Sequence, residues 1–418
     1  MGKSLQRFTL LVTTLLFLSG CWNQVELDKI AYVVAMGIDK EDDKIRITYL
    51  IVNPEYGTQP TGSSDVEPFA IFSFVADDLA IAKNIANTIV NKTVSYYILN
   101  QVLISEEIAQ TDEFIHWLYD MTKITEVRKD LELIITKELA YDYLTKFNPA
   151  LEKRPYKLFR EMIRRNKESA FIPSNSELFY YLRITETDND LYLAVYSTNE
   201  QDGVQKPSGD HRFHYDKEEI KVKGTTNKAQ YLGSAVFKKG KMIGHLTEQE
   251  TILSTILNEN LRGDQNIYKS FTDPFNEQYT ITTKMDILKK SSINLDLDKT
   301  PSTIDVEIPL TISVLTNHTM VDYYHDEKKR QELKKHIEDS LQKEFTQFIK
   351  RTQEEFKGEP FGWSLDARRH FRTNQQFEKF NWMESYPKMD VRVKVKVKFG
   401  SFGRQADVLD IRKVREKE

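Results

Sequence analysis

One cysteine and eight histidines are the side chains of this 418-residue chain best suited to metal or nucleophilic chemistry, and their spacing supports little of it. A single thiol closes no intramolecular disulfide and builds no multi-cysteine zinc site. Of His116, His211, His214, His245, His318, His325, His336 and His370, only His211 and His214 are near neighbours, in a polar stretch beside Asp210 and Asp216. That stretch reads as an exposed loop, so no metal is expected. His245 falls at the end of an expected strand, a packing or capping position. There is no Gly-x-x-x-x-Gly-Lys-Ser/Thr loop, no Gly-x-Ser-x-Gly elbow and no His-Glu-x-x-His helix. Gly233 and Gly240-Lys241 come nearest to a phosphate loop, but Met242 follows the lysine, and both glycines read as hairpin residues. Carboxylates are abundant, yet spacing alone selects no catalytic pair. The expectation is a chain with no catalytic residues, no cofactor and no enzymatic activity.

Charge gives two further candidates. Arg154, Arg160, Arg164 and Arg165 form a basic cluster that reads first as a solvated helix face and second as an anion site. Arg392, Lys394, Lys396 and Lys398 alternate with apolar residues near the C-terminus. That arrangement suits the protection of a sheet edge or, as the alternative, contact with anionic lipid or an acidic partner. The whole chain carries Lys+Arg 59 against Asp+Glu 63, with a pI near 6.2, so nothing draws it to nucleic acid. At 40% hydrophobic and 29% charged residues it is neither a polytopic membrane protein nor a disordered one.

The position of Cys21 matters more than its number. Lys3 and Arg7 precede an apolar run from Phe8 to Leu18, about 16 Å of helix against the ~30 Å needed to span a bilayer. Leu18-Ser19-Gly20-Cys21 then places small residues before a thiol, which resembles the bacterial lipobox at all four positions. Residues 1–20 are thus expected to be a lipoprotein signal peptide and Cys21 the site of a diacylglyceryl anchor. Two acyl chains make that anchor stable.

Behind it, periodicity sets the elements that hold everything else. Strands at 31–40 and 45–52 read as a hairpin, followed by a loop rich in Pro and Gly. Helical spacing runs from Asp77 to Asn91 with Asp77 or Asp78 as N-cap. Then come a strand at 96–104, a helix at 111–121, a strand at 131–136 and a helix at 139–147. Residues 197–230 are polar and turn-rich. Strands at 231–237 and 242–246 lead through Thr247 and Glu250, the two ends of a capping box, into a helix over 248–257. Strands at 279–288, 293–297 and 303–314 precede a helix from about 326 to 356 with one apolar face. Met389 to Phe399 alternates strictly, as a half-buried antiparallel strand would. The expected fold class is α+β: three mixed domains, each a β-sheet packed with helices. They comprise an N-terminal domain at 21–196, a linker or insertion and small ββα middle domain at 197–275, and a C-terminal domain with a long helix at 276–418.

Cys21-Trp22-Asn23 with Glu26-Leu27, then Gly244-His245-Leu246-Thr247-Glu248-Gln249-Glu250-Thr251, then Phe361-Gly362-Trp363, Arg369, Trp382 and Gly400 together resemble the Ger(x)C spore-germination lipoproteins. Phe361-Gly362-Trp363 matches only approximately, and residues 197–220 look inserted. The resemblance implies a non-catalytic C subunit of a nutrient germinant receptor, lipid-anchored through Cys21 on the outer face of the spore inner membrane. It also implies integral-membrane A-type and B-type subunits as partners, and a role in nutrient-triggered germination, with scaffolding of those subunits as the mechanism. The alternatives are a solute-binding lipoprotein of a transporter and, more remotely, a cell-wall hydrolase.

Overall fold

The apolar stretches at 31–40 and 45–52 fold into the expected hairpin. Strands β1 (Ile30–Glu41) and β2 (Lys44–Val52) pair antiparallel around a turn in which Asp42 takes a positive φ. These and all following details come from a computed structural model, which describes residues 2, 6, 29–53, 56, 67–147, 152–187, 189–199, 229–258 and 265–403. Most of the expected signal peptide at 1–20, together with Cys21, His211 and His214, lies outside the described residues.

After β3 (Phe69–Ala76) comes α1 (Leu79–Ile89), where the Asp78 carboxylate accepts the Ile81 N–H at 2.7 Å as N-cap. Then follow β4 (Thr93–Ser95), β5 (Gln101–Ser105), α2 (Glu106–Ala109), α3 (Phe114–Met121), β6 (Glu132–Thr136), α4 (Ala140–Thr145), α5 (Pro155–Glu168), α6 (Leu178–Thr187) and β7 (Tyr192–Thr198). Strands β8 (Gln230–Lys238) and β9 (Lys241–Leu246) lead into α7 (Glu248–Leu257). All nine strands make one sheet in the order β3-β2-β1-β5-β6-β7-β8-β9, with β4 beside β1. Its centre, β1, β5, β6 and β7, is parallel, and its wings are antiparallel.

Burial on both faces explains why those central strands read as continuous apolar runs. Ala82, Leu118 and Tyr181, from α1, α3 and α6, cover one face over Met36, Val102 and Leu133. Leu144 and Phe159, from α4 and α5, cover the other over Val34, Leu103 and Ile134. A bulge in β1 at Val34 shifts the alternation, so that Ala31 and Val33 share a core with Met36 and Ile38.

The second sheet holds β10 (Ile267–Asp273), β11 (Asn276–Asp286), β12 (Ser292–Asp296), β13 (Thr303–Asn317) and β14 (Asp390–Phe399). Between β13 and β14 lie α8 (Glu327–Arg351), a π turn (Thr352–Phe356), α9 (Trp363–Arg368), α10 (Asn374–Phe380) and α11 (Trp382–Ser385). Strand β14 is parallel to β13, from Thr303 opposite Asp390 to Ile312 opposite Phe399, and this corrects the antiparallel expectation. Alternation reports that one face is buried and is silent on direction. The long helical connection is what permits a parallel return.

Leu333, Ile337, Leu341, Phe345, Phe348 and Ile349 of α8 form the core over this sheet. Leu253, Ile256 and Leu257 of α7 join it, as do Leu191, Leu193, Val236 and Leu246 of the first sheet. The ββα unit at 231–257 therefore straddles the molecule: its strands extend the first sheet and its helix belongs to the second core.

One charge pair lies inside that core. Lys269 on β10 meets Glu344 on α8 at 2.6 Å, both side chains nearly inaccessible, and burial pulls the Lys269 pKa down to about 8. Removing one partner strands the other in a dry site. Glu344→Ala is expected to cost about 3–5 kcal/mol in urea unfolding, while the double change Lys269→Met with Glu344→Leu should recover most of it.

Candidate functional site

The residues with the densest polar wiring sit where the two sheets meet, on the strip that leaves α8. Arg351, in the last turn of α8, places Nη1 2.6 and 2.5 Å from the two oxygens of Glu250 on α7. Its Nε donates to Glu355 at 2.7 Å, and its guanidinium lies 5.0 Å from the centre of the Phe356 ring. Glu250 also closes the capping box: the Glu250 N–H donates to Thr247 Oγ1 at 3.2 Å, and the Thr247 N–H donates back to its carboxylate at 2.9 Å. The segment Gly244–Glu250 is thereby gripped by the long helix.

Glycine is required at one position here and fits closely at another. A Cβ on Gly233 would lie 2.3 Å from the Leu246 carbonyl and 2.8 Å from the Glu248 nitrogen, at a φ of +115°. Gly240 does turn the β8–β9 hairpin, as expected, but Gly233 lies within β8 and lets the strand-to-helix corner approach. A Cβ on Gly244 would press on Phe356 at 3.0 Å.

Beyond the π turn, Lys357 adopts a left-handed conformation and the chain enters Gly358-Glu359-Pro360-Phe361-Gly362-Trp363. Phe361, Trp363 and Glu359 are fully buried. Glu359 accepts four N–H groups: Phe361 at 2.6 Å and Gly362 at 3.0 Å on Oε2, Ser364 at 3.0 Å and the Trp382 indole at 3.2 Å on Oε1. Its backbone carbonyl accepts the Leu191 N–H at 2.9 Å, tying the strip to β7. Its carboxylate is also hydrogen-bonded to Asp190, the residue before Leu191.

Two carboxyl groups so close cannot both be ionised. Both oxygens of Glu359 already receive N–H donors, which favours its anion, so the shared proton belongs on Asp190. Burial raises the pKa of both acids, opposed at Asp190 by a hydrogen bond from Ser364 and the charge of Arg183, and at Glu359 by the N–H groups of Phe361 and Ser364. Beside the pair is a small cavity of about 50 Å³ lined by Ser174, Arg183, Asp190 and Gly362. Neither Asp190 Oδ1 nor Ser174 Oγ has a hydrogen-bond partner there.

The other sequence candidates fall away from this junction. His245 stacks its ring on Tyr196, at 5.2 Å, near the end of β9. Arg154 and Arg164 pair with Glu152 at 2.8 Å and Glu161 at 2.8 Å, as a solvated helix face does. Arg160 lies over Tyr156 and lines a cavity of about 230 Å³ with Tyr97, Asn100 and Asp130. The basic side chains of β14 are exposed on an edge strand, with Arg392 bound to Asp390 and Lys396 to Glu307, both at 2.6 Å. Among the described residues, no group of three or more His, Cys, Asp or Glu side chains could hold a metal. No described helix is long and apolar enough to cross a membrane.

Asp190, Arg351 and Glu359 escape a search for motifs. The one usable signal is an acid and a proline directly before the buried aromatic triplet 361–363.

Comparison with known proteins matches both parts of the molecule. Residues 23–198 match the family described as spore germination protein N-terminal domain, and residues 232–403 match spore germination B3/GerAC like, C-terminal. Spore germination protein KC of Bacillus subtilis (strain 168) is 25% identical over 150 residues, covering 35% of this chain and only 37% of that protein. YfkR of the same organism, described as a spore germination protein, is 22% identical over 402 residues, covering 94% of this chain and 95% of that one. The crystal structure of the GerBC protein shares the fold, with a TM-score of 0.52 at 16% identity, over 90% of this chain and 99% of that chain.

The junction makes an asymmetric prediction. Asn at 190 can donate to Glu359 as the protonated acid does, so Asp190→Asn should fold normally. Gln at 359 would turn an NH₂ toward N–H donors and should cost at least ~2 kcal/mol at any pH. Because the folded pKa of Asp190 is raised, the folded chain binds a proton that the unfolded one lacks once pH exceeds the ordinary 3.8. That stability is fully present below 3.8 and is lost as pH rises through the raised value, by up to ~1.4 kcal/mol per unit. Denaturant unfolding across pH should show this slope in the wild type and a shallower one in Asp190→Asn, where the buried Glu359 is the one acid of the pair left.

Proposed function

The chain belongs to the Ger(x)C family of spore germination proteins, and on that premise we propose that it is a lipid-anchored, non-catalytic subunit of a spore nutrient germinant receptor. It is held by Cys21 on the outer face of the spore inner membrane. There it binds the integral-membrane A-type and B-type subunits and is needed for nutrient-triggered germination.

What carries the reading is the combination of Leu18-Ser19-Gly20-Cys21 with family likeness over nearly all of the chain behind it. The junction supports the mechanism. Glu359 and Arg351 are consumed in joining one sheet to the other, which suits a rigid body that holds partners in register. Anchoring such a body in the same membrane raises its effective concentration toward those partners.

The test is recovery of partners from detergent extracts of sporulating cells, wild type against Cys21→Ala, with mass-spectrometric identification. The wild type is expected to bring down a multi-span permease-like protein and a second integral-membrane subunit, and Cys21→Ala less of both. A wild-type protein that comes down alone, or with transporter components, would sink the receptor reading in favour of a solute-binding lipoprotein.

A further inference from the structure

The cavity of about 230 Å³ beside Arg160 lies between α5 and the amino-terminal ends of β5 and β6. Tyr156, Phe159, Arg160 and Ile163 line it from α5 at i, i+3, i+4 and i+7, one face of the helix. Drug-sized ligands fill sites of ~300–1,000 Å³, so this one suits a smaller molecule.

Its floor is fixed and one wall is apolar. The Glu132 N–H donates to the Asn100 carbonyl at 2.9 Å and the Asn100 N–H to the Val34 carbonyl at 3.1 Å, which ties the starts of β5 and β6 to β1. Ile98, Phe159 and Ile163 supply the wall, with Phe159 stacked on Phe147 at 4.6 Å.

Charge is unevenly placed around this space. At the exposed mouth Arg128 and Asp130 satisfy one another, Nε lying 2.9 Å from Oδ1. Arg160 is exposed there too, 5.6 Å from the centre of the Tyr156 ring, and makes no ion pair among the described residues. Arg164, one turn on, differs in being held by Glu161 and Glu168.

On the buried floor the sign is reversed. Lys167 is shared between Glu132 at 2.6 Å and Glu177 at 2.8 Å, so two acids meet one cation. Burial raises the Glu132 pKa, Lys167 opposes the rise and Glu177 adds to it. The side-chain oxygen of Asn100 is buried with no hydrogen-bond partner. A deep acceptor of this kind costs stability until a donor meets it.

We propose that this cavity binds a small zwitterion, its ammonium inward against Asn100 and Glu132 and its acid group outward on Arg160. Simpler ligands fit the layout less well. A plain anion would meet the surplus carboxylate below, and a plain cation would be repelled by Arg160 at the mouth. Tyr97 and Tyr156 also line the space, and ring faces favour an ammonium. An α-amino acid carries this pair of charges, and so does the phosphoethanolamine headgroup of a phospholipid. The proposal stands on the cavity and rests neither on the anchor nor on the receptor partners.

The test is titration calorimetry on the full chain in a maltoside detergent. The probes are L-alanine, L-leucine, L-phenylalanine and glycerophosphoethanolamine. Counterparts with one charge are the amide and the des-amino acid of each amino acid, and glycerophosphoglycerol. A zwitterion is expected to bind saturably, at least about tenfold tighter than its one-charge counterparts. Arg160→Gln should weaken it about tenfold, and Arg165→Gln, on the same helix but outside the cavity, should leave it unchanged. Saturation by an amino acid identifies a free solute and saturation by glycerophosphoethanolamine a lipid headgroup, and either supports the site. Equal affinity for the one-charge counterparts, or indifference to Arg160→Gln, overturns it. So does the absence of saturable heat from every zwitterion up to ~10 mM. None of these results bears on which partners the chain recovers from a membrane, so the receptor reading stands or falls separately.

Discussion

A carboxylate taken out of water must be hydrogen-bonded on every side, and Glu359 is the place where this chain meets that demand. Two of its donors come from its own turn, a third from the start of α9 and the fourth from the indole of Trp382. Its carbonyl accepts the Leu191 N–H, and its acidic neighbour is Asp190, both just before β7. One buried group thus requires the strip behind α8, the small terminal helices and the first sheet to be in place together. Phe361 and Trp363 pack around that point, where the N–H groups of Phe361, Gly362 and Ser364 are directed.

The same logic governs the other end of the strip. Arg351 holds Glu250, Glu250 closes the cap of α7, and α7 lies in the core of the second sheet while its preceding strands complete the first. Gly233 permits the close corner that makes this geometry possible. A chain of family likeness but low identity to its relatives can keep such a joint through a few residues, while surfaces diverge around it. For the scaffolding subunit proposed above, rigidity between the sheets is the property that matters.

Much of the architecture was legible from pattern alone. The β1–β2 hairpin, α1 with its Asp78 cap, the capping box at Thr247 and the long apolar face of α8 each follow from local spacing, and local spacing decides them. Helix α6 and strands β7 and β10 do not stand out from spacing, and α5 shows only as the solvated face around Arg154 to Arg165. Half of the residues of α5 are charged, and β10 interrupts its apolar positions with Lys269, whose partner Glu344 is 75 residues away. The direction of β14 and the sheet membership of β8 and β9 depend on what lies beside them, which no period encodes. The junction acids were invisible for the same reason: Asp190 and Glu359 are ordinary surface residues until the fold brings them together.

The most direct test of a single rigid body is calorimetric unfolding of the full chain in detergent. A joint built on Glu359 and Arg351 predicts one transition whose calorimetric and van't Hoff enthalpies agree, because neither sheet can lose its core without exposing the buried carboxylate. Two separated transitions, one for each sheet, would contradict it.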